Sequence, residues 1–198
     1  MMVNPLTGRA TRRSRLFAIA LIAVGAVVLS TATVLGIRWA SAPRNAAPMS
    51  AQGLGFVRLD RPAPSLDLRP LRGRTAITLA SLAGRPIVMN FWASTCHICT
   101  KETPALASVA RQLHGRVSFV GIDSADSRGP ATAFVSRYQV PYPIAFDPEA
   151  SAAVRYGVPA LPVTFFLSPS GTTILGENIG ALTRTSLRAI LRKLYGVS

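Results

Sequence analysis

The chain has 198 residues, of which 49% are hydrophobic, and it carries a formal charge of +14 at pH 7. A hydrophobic share this high excludes intrinsic disorder for the bulk of the chain. Beyond the amino terminus the basic residues are scattered singly and form no stripe with interleaved aromatic residues, which argues against nucleic-acid binding.

The first predicted element is a membrane anchor. Several arginines precede a long uncharged apolar run, and about 20 helical residues cross the hydrocarbon core of a bilayer. We predict a cytoplasmic basic tail at residues 1–15 and a single-pass signal-anchor at residues 16–39, with the rest outside the cytoplasm. Ala40–Ala42 has the small-residue pattern of a cleavage site, so a cleaved, secreted form stays an alternative. Residues 40–56, rich in Ala, Pro, Ser and Gly, predict a flexible linker.

The remaining residues, 57–198, predict one domain of alternating strands and helices. Ser65–Leu68 and Thr75–Leu79, around the "RGR" turn, predict an opening hairpin. A buried strand (Pro86–Trp92) comes next, followed by a helix that begins at Thr95 or Cys96 and that Thr95 can cap. The later elements are a strand (Val117–Asp123), a helix (Gly129–Val140), a short strand, a short helix ended by Gly157, a hairpin (Pro162–Ser168 and Thr172–Asn178) and a closing amphipathic helix. This order indicates an α/β sandwich with a mixed sheet.

The two cysteines of the chain, Cys96 and Cys99, lie where the strand Pro86–Trp92 passes into a helix. The positive end of a helix stabilises a thiolate and lowers the pKa of a cysteine placed there. Cys99 is one turn further on, close enough for a disulfide and expected to be more buried. We therefore predict that Cys96 is the nucleophile that forms a mixed disulfide with a partner, and that Cys99 resolves it.

Other uses of a cysteine pair fit the sequence less well. A structural zinc site needs four ligands, and the two histidines, His97 and His114, are poorly placed to complete one. Haem attachment requires a histidine where Thr100 stands. A thiol peroxidase would carry Pro and Thr at the positions of Met89 and Ala93. A Cu(I) site of both thiolates and one histidine stays open, as does the peroxidase.

With these residues in place, residues 60–195 resemble the membrane-anchored thioredoxin-like reductases of the TlpA/ResA type. The resemblance rests on "RPAPSLDLRPLRG", "LASLAGRPIVMNFWASTCHICTKETPAL", "FVGIDS", "YPIAFDPEASAAVRYGVPALPVTFFLSPSG" and "IGALTRTSLRAIL". It implies a thioredoxin-like fold, a mixed central sheet flanked by helices, and no cofactor beyond the redox-active disulfide Cys96–Cys99. It also implies reduction of protein disulfides, often on apocytochrome c, with electrons from a membrane donor of the CcdA/DsbD type.

The resemblance also implies a role for Glu102, which matches a glutamate that lies near the thiols and tunes them. One turn on from Cys99, it could accept the proton that Cys99 loses before it attacks. The alternative is that Glu102 is only a favourable acid in the first turn of a helix. Asn90 stands where cytoplasmic thioredoxins carry a buried aspartate, which moves the acid–base task towards Glu102.

Three further residues match positions that face or support a bound partner. Pro162, in "ALPVT", matches a cis-proline loop that faces the disulfide, and the resemblance implies that Leu161 offers backbone groups to an extended partner segment. Trp92, in "NFWA", is expected to pack beside the cysteines and to contribute to partner binding.

The dipeptide between the cysteines departs from the family pattern. Most family members read WCxPC, whereas Thr95 and Ile98 replace the Trp and the Pro here. His97 lies between the thiols, where an imidazolium would favour the Cys96 thiolate, and we include it among the predicted partner-binding residues. Since this dipeptide tunes the reduction potential, an oxidant of secreted proteins stays an alternative to a reductase.

Overall fold

The computed structural model describes residues 55–197. Its eight strands are β1 (Gly55–Pro62), β2 (Asp67–Leu68), β3 (Ile77–Thr78), β4 (Ile87–Trp92), β5 (Ser118–Ser124), β6 (Ile144–Asp147), β7 (Val163–Leu167) and β8 (Thr173–Ile179). The helices of the same residues are α1 (Leu79–Leu82), α2 (His97–Gln112), α3 (Arg128–Arg137), α4 (Ser151–Tyr156) and α5 (Arg184–Tyr195).

The predicted amino-terminal tail and anchor, residues 1–15 and 16–39, lie outside the described residues, as does most of the predicted linker. Between residues 55 and 197, none of the helices combines the length and the apolar character that a membrane crossing requires.

Six of the strands form one mixed sheet in the order β1-β8-β7-β4-β5-β6. β4 pairs in parallel with β5, and β5 with β6, while β4–β7, β7–β8 and β8–β1 are antiparallel. Every residue of β4 and β5 is buried, because helices cover both faces of the centre of the sheet. The predicted mixed α/β architecture is therefore confirmed, and the arrangement is thioredoxin-like.

The amino-terminal part of the domain differs from the prediction. The opening hairpin exists, but only β2 and β3 pair in it, over two residues each. The strand β1 was not predicted, and it takes in Gly55 and Phe56, which the sequence analysis assigned to the linker. β1 is an edge strand with exposed residues such as Val57 and Arg58, so its sequence lacks the apolar run of a central strand.

The core lies on both faces of β4, because successive side chains of a strand point to opposite faces. Met89 and Phe91 pack on one face in the larger cluster of buried residues, with Phe165 against Phe91. Val88 lies in the second cluster, beneath α2 and α5. The predicted apolar side of the closing helix is confirmed, since its inward residues are buried: Leu187, Ile190 and Leu191. By the same alternation, Asn90 lies on the face of β4 that α2 covers.

Gly121 of β5 is expected to tolerate no side chain, because a Cβ there would lie 2.6 Å from Ile144 Cδ1 and 2.8 Å from Trp92 Nε1. Gly121→Ala should lower the free energy of unfolding by about 1–3 kcal/mol through overpacking. Denaturant unfolding of the oxidised protein measures this. Gly129→Ala is the matched control, since a Cβ there would meet no atom of another part of the described structure within 4 Å. Equal stability of the two variants would contradict the expected crowding beside Trp92.

Candidate redox site

Cys96 is the N-cap residue of α2. Its backbone is extended, and its Sγ accepts a hydrogen bond from the N–H of Cys99 at 3.1 Å. The helix therefore begins at His97, and the predicted capping by Thr95 is wrong, because Thr95 lies one residue too early to reach the free N–H groups. The sulfur that reacts thus also satisfies a helix-terminal donor, which holds it at the positive end of the helix.

Cys96 and Cys99 are joined by a disulfide, with their Cα atoms 5.3 Å apart. Cys96 is half-buried, whereas Cys99 is 0% exposed and packs in an apolar cluster with Trp92 and Phe134. A partner protein can therefore reach the Cys96 sulfur but not that of Cys99. This asymmetry is the one that a nucleophilic and a resolving cysteine require.

Glu102 lies three residues after Cys99 on α2 and is 0% exposed. Its Oε1 accepts a hydrogen bond from Asn90 Nδ2 at 2.7 Å, and its Oε2 accepts one from the Leu182 N–H at 3.0 Å. Burial raises the pKa of Glu102 to about 7, although both hydrogen bonds oppose the shift. The interpretation of Glu102 as a first-turn acid is wrong, since the first turn of α2 contains no acidic residue. Glu102 is a buried acid that titrates near neutral pH.

Asn90 fixes the position of this acid. Its side chain is buried in the centre of β4, and its Nδ2 donates to Thr164 Oγ1 at 3.0 Å as well as to Glu102. The amide group thereby links β4, β7 and α2. Because the side-chain amide of asparagine does not ionise, Glu102 is the titrating group of this network.

The peptide bond between Leu161 and Pro162 is cis, as the resemblance implied. Pro162 directly precedes β7, whose first residue, Val163, pairs with Phe91 near the end of β4. Leu161 is half-buried and, like Cys96, packs against the apolar cluster that contains Cys99. The loop therefore lies at the end of the sheet that carries the disulfide.

The remaining predicted partner-binding residues differ in exposure. Trp92 is 3% exposed and stacks on Phe134 with ring centroids 4.5 Å apart, so it supports the site from beneath and its side chain offers no surface to a partner. His97 is exposed beside the disulfide. Ile98 is 43% exposed, so an apolar side chain lies open to solvent next to the cysteines. The sequence analysis noted Ile98 only as a replacement for the family's proline and did not predict this exposure.

Two aspartates near the site were not singled out from the sequence. Asp126 Oδ2 accepts a hydrogen bond from the N–H of Ser94, two residues before Cys96, at 2.5 Å. Asp123, near the end of β5, is fully buried, and burial together with the charge of Asp126 raises its pKa to about 8. The sequence "DSAD" could have indicated acidic side chains near the cysteines, because the carboxyl ends of the parallel strands β4 and β5 meet at one edge of the sheet.

Within residues 55–197 no group of three or more His, Cys, Asp or Glu side chains is placed to hold a metal ion. The predicted reliance on the disulfide alone, without an organic cofactor, stays a prediction.

Comparison with known proteins gives a consistent set of similarities. Residues 59–174 match the model of the AhpC/TSA family. The chain is 35% identical over 115 residues to the thiol:disulfide interchange protein DsbE of Allochromatium vinosum, covering 57% of this chain and 62% of that one. It is 27% identical over 139 residues to the thiol-disulfide oxidoreductase ResA of Bacillus anthracis, covering 70% and 79%.

A solved structure extends the similarity to the fold. It is the crystal structure of a secreted Mycobacterium tuberculosis disulfide oxidoreductase homologous to E. coli DsbE, with a TM-score of 0.59 and 30% sequence identity. The match covers 65% of this chain and 96% of that one.

Proposed function

The chain belongs to the AhpC/TSA family and is a thiol–disulfide oxidoreductase of the DsbE and ResA type, and from this premise we propose a direction of electron flow. We propose that the chain reduces disulfides of other proteins. The Cys96–Cys99 pair carries the two electrons, and no organic cofactor takes part.

In the reduced protein, the Cys96 thiolate attacks one sulfur of a partner disulfide. A mixed disulfide forms and the partner's second sulfur leaves as a thiolate. Cys99 then gives its proton to the Glu102 carboxylate and attacks the Cys96 sulfur. The Cys96–Cys99 disulfide forms, the partner leaves with both sulfurs reduced, and two electrons have passed from this chain to the partner.

The observation that carries the direction is the buried Glu102 one turn from Cys99. A carboxylate close to a thiol disfavours the thiolate, since like charges repel more strongly where water is excluded. A destabilised thiolate makes the reduced pair less stable and lowers the reduction potential, the reverse of the oxidant DsbA, whose reduced form is stabilised.

Partner binding in this proposal uses the surface around the half-buried Cys96. The loop at Leu161 and Pro162 pairs with an extended partner segment through backbone groups, and the exposed side chains of His97 and Ile98 flank the sulfur. Backbone pairing accepts many sequences, which suits a protein that acts on more than one substrate.

We propose the cellular setting on the sequence alone. The domain works outside the cytoplasm, held at the cell membrane by residues 16–39, and receives electrons from a membrane donor of the CcdA/DsbD type. Apocytochrome c is one of its substrates in this proposal. A similar protein of known structure is described as secreted, which supports an extracytoplasmic site of action.

The reduction potential of the full chain tests the direction. Equilibration of the Cys96–Cys99 pair with dithiothreitol and glutathione buffers is expected to give a potential near or below about −250 mV. A potential above about −180 mV would contradict the reductase and favour an oxidant. Cys99→Ala is the control and should show no two-electron transition. Absence of a reversible transition in the unaltered chain would direct the next tests to Cu(I) binding and to peroxide turnover.

A further inference from the structure

Asp123 is the most unusual polar group of the domain. It lies in β5, opposite Trp92 of β4 in the parallel register, and is 0% exposed. Among residues 55–197, no N–H or O–H group donates a hydrogen bond to either of its carboxylate oxygens. A buried ionised carboxylate without donors is strongly destabilising, so the group is expected to hold a proton.

The carboxyl group that acts most strongly on Asp123 is that of Asp126, whose negative charge adds to burial in raising the pKa of Asp123. The two carboxyl groups can share a hydrogen bond only if one of them carries a proton. Asp126 is the ionised partner, because its Oδ2 and Oδ1 accept hydrogen bonds from the N–H groups of Ser94 and Ser127 at 2.5 and 2.6 Å. Burial opposes ionisation of Asp126, but these bonds outweigh it and lower its pKa. The shared proton therefore belongs to Asp123.

The other charges that act on Asp123 do not remove the need for this proton. The positive charge of Arg128 opposes the rise in the pKa of Asp123, but its guanidinium donates to the carbonyl of Leu71 and lies over the ring of Phe146. Asp147 adds a further negative charge and is itself occupied by donors at the start of α4, among them the Ala152 N–H. The neighbour of Asp123 on β4, Trp92, carries no charge.

The pair is connected to the reactive sulfur through a short turn. Ser94 lies at the beginning of the turn that leads to Cys96, and the Cys96 N–H donates to the carbonyl of Ala93 at 3.1 Å. We propose that Asp123 and Asp126 are positioning residues that share one proton. The shared proton holds Asp126 where it accepts the hydrogen bond from the Ser94 N–H, and this bond fixes the turn that positions the Cys96 sulfur.

Loss of the shared proton has a defined consequence. The two carboxylates then repel each other inside the protein, and Asp126 moves away from Ser94. The Ser94 N–H loses its acceptor, and the turn before Cys96 is released. Reactivity at Cys96 thereby gains a dependence on pH that is separate from the ionisation of either cysteine. This inference rests on Cys96–Cys99 being the reacting group.

Carbon-13 NMR of the aspartate Cγ atoms in the oxidised full-length chain tests the pair directly. Asp123 Cγ and the Ser94 amide are expected to shift together with one midpoint near pH 8. In Asp123→Asn the side-chain amide donates to Asp126 at every pH, so the Ser94 step should disappear while the Ser94 signal keeps its bonded position. Titration of Asp123 below about pH 5 would overturn the proposal. So would a Ser94 amide chemical shift that does not change at the midpoint of the Asp123 titration.

A kinetic measurement tests the effect on Cys96. The rate at which dithiothreitol reduces the disulfide, divided by the dithiothreitol thiolate concentration, should fall at least about threefold across the same midpoint. Asp123→Asn should remove this step, and Asp126→Ala should be slow at every pH. Asp60→Asn, at an exposed aspartate of β1, is the control and should keep the original profile. Persistence of the step in Asp123→Asn would refute the proposal.

These outcomes are separate from the direction of electron flow. Dithiothreitol reduces the disulfide whatever the natural partner is, and the NMR titration requires no turnover. A reduction potential that contradicts the reductase would therefore leave this inference standing, and failure of the titration would leave the reductase standing.

Discussion

Cys99→Ser is expected to reduce turnover of a protein disulfide by at least about 10³-fold while Cys96 still forms a mixed disulfide. Serine cannot form a disulfide, so the partner stays attached to the half-buried Cys96 sulfur. Cys96→Ser should be equally inactive but form no adduct, because Cys99 is inaccessible to a protein partner. Insulin reduction with dithiothreitol as electron source measures turnover, and non-reducing electrophoresis detects the trapped complex.

The two serine variants are matched to each other, and His114→Ala serves as a further control. His114 is exposed beyond the carboxyl-terminal end of α2, away from the disulfide at the start of that helix, so its replacement should leave turnover unchanged. Adduct formation by Cys96→Ser would reverse the assignment of nucleophile and resolving cysteine. Full turnover by Cys99→Ser would show that Cys96 acts alone, as in a peroxidase.

Glu102→Gln is expected to slow the resolving step by about 10²-fold or more, because the variant cannot accept the proton of Cys99. In the unaltered chain the rate should rise with pH through about 7, as Glu102 becomes a carboxylate. The variant should lack that rise. Stopped-flow measurement of mixed-disulfide collapse between pH 5.5 and 9 provides the comparison. A rise near pH 7 that survives in Glu102→Gln would assign the proton to another acceptor.

The same substitution should change the dependence of stability on pH. The folded-state pKa of Glu102, about 7, lies above its ordinary value of 4.5, so the protonated form is favoured in the folded protein. Its contribution to stability is complete below pH 4.5 and is lost as the pH rises through about 7. Urea unfolding of Glu102→Gln should lack this loss. At low pH the variant should be less stable by about 1 kcal/mol, since an amide oxygen cannot serve both Asn90 and Leu182.

Glu149→Gln is the control for both measurements, because Glu149 is exposed in the turn after β6 and makes no hydrogen bond with Glu102 or its partners. It should keep the original pH profiles. A matching change in this variant would show that the net charge of the domain, rather than the buried acid, determines them.

The core of the fold and the cysteine pair could be predicted because their signals are local. β4 and β5 are rich in apolar residues and buried along their whole length, as expected for strands covered on both faces. The apolar residues of α5 repeat at helical spacing. The place of Cys96 followed from the end of one such run. The cis bond before Pro162 came from the family resemblance, since no local pattern distinguishes it from the nearby Pro159.

The features that were missed depend on contacts between distant segments. β1 has no apolar run, and only its pairing with β8 makes it a strand. The cap at Cys96 depends on which residue's acceptor reaches a free N–H group, a difference of one position that the sequence leaves open. The carboxyl pair of Asp123 and Asp126 requires both the parallel register with β4 and the local turn, neither of which composition reveals.

The hydrogen bond from Leu182 to Glu102 has a consequence for how such proteins diverge. The donor is a backbone N–H, so every amino acid except proline supplies it, and drift at position 182 leaves the bond intact. Position 182 also lies beyond residue 174, where the family match ends. Two homologues can therefore hold the acid in the same way and show no shared residue at that point. Lineages that gain a proline there would lose the bond, and their buried glutamate would evolve under a different constraint.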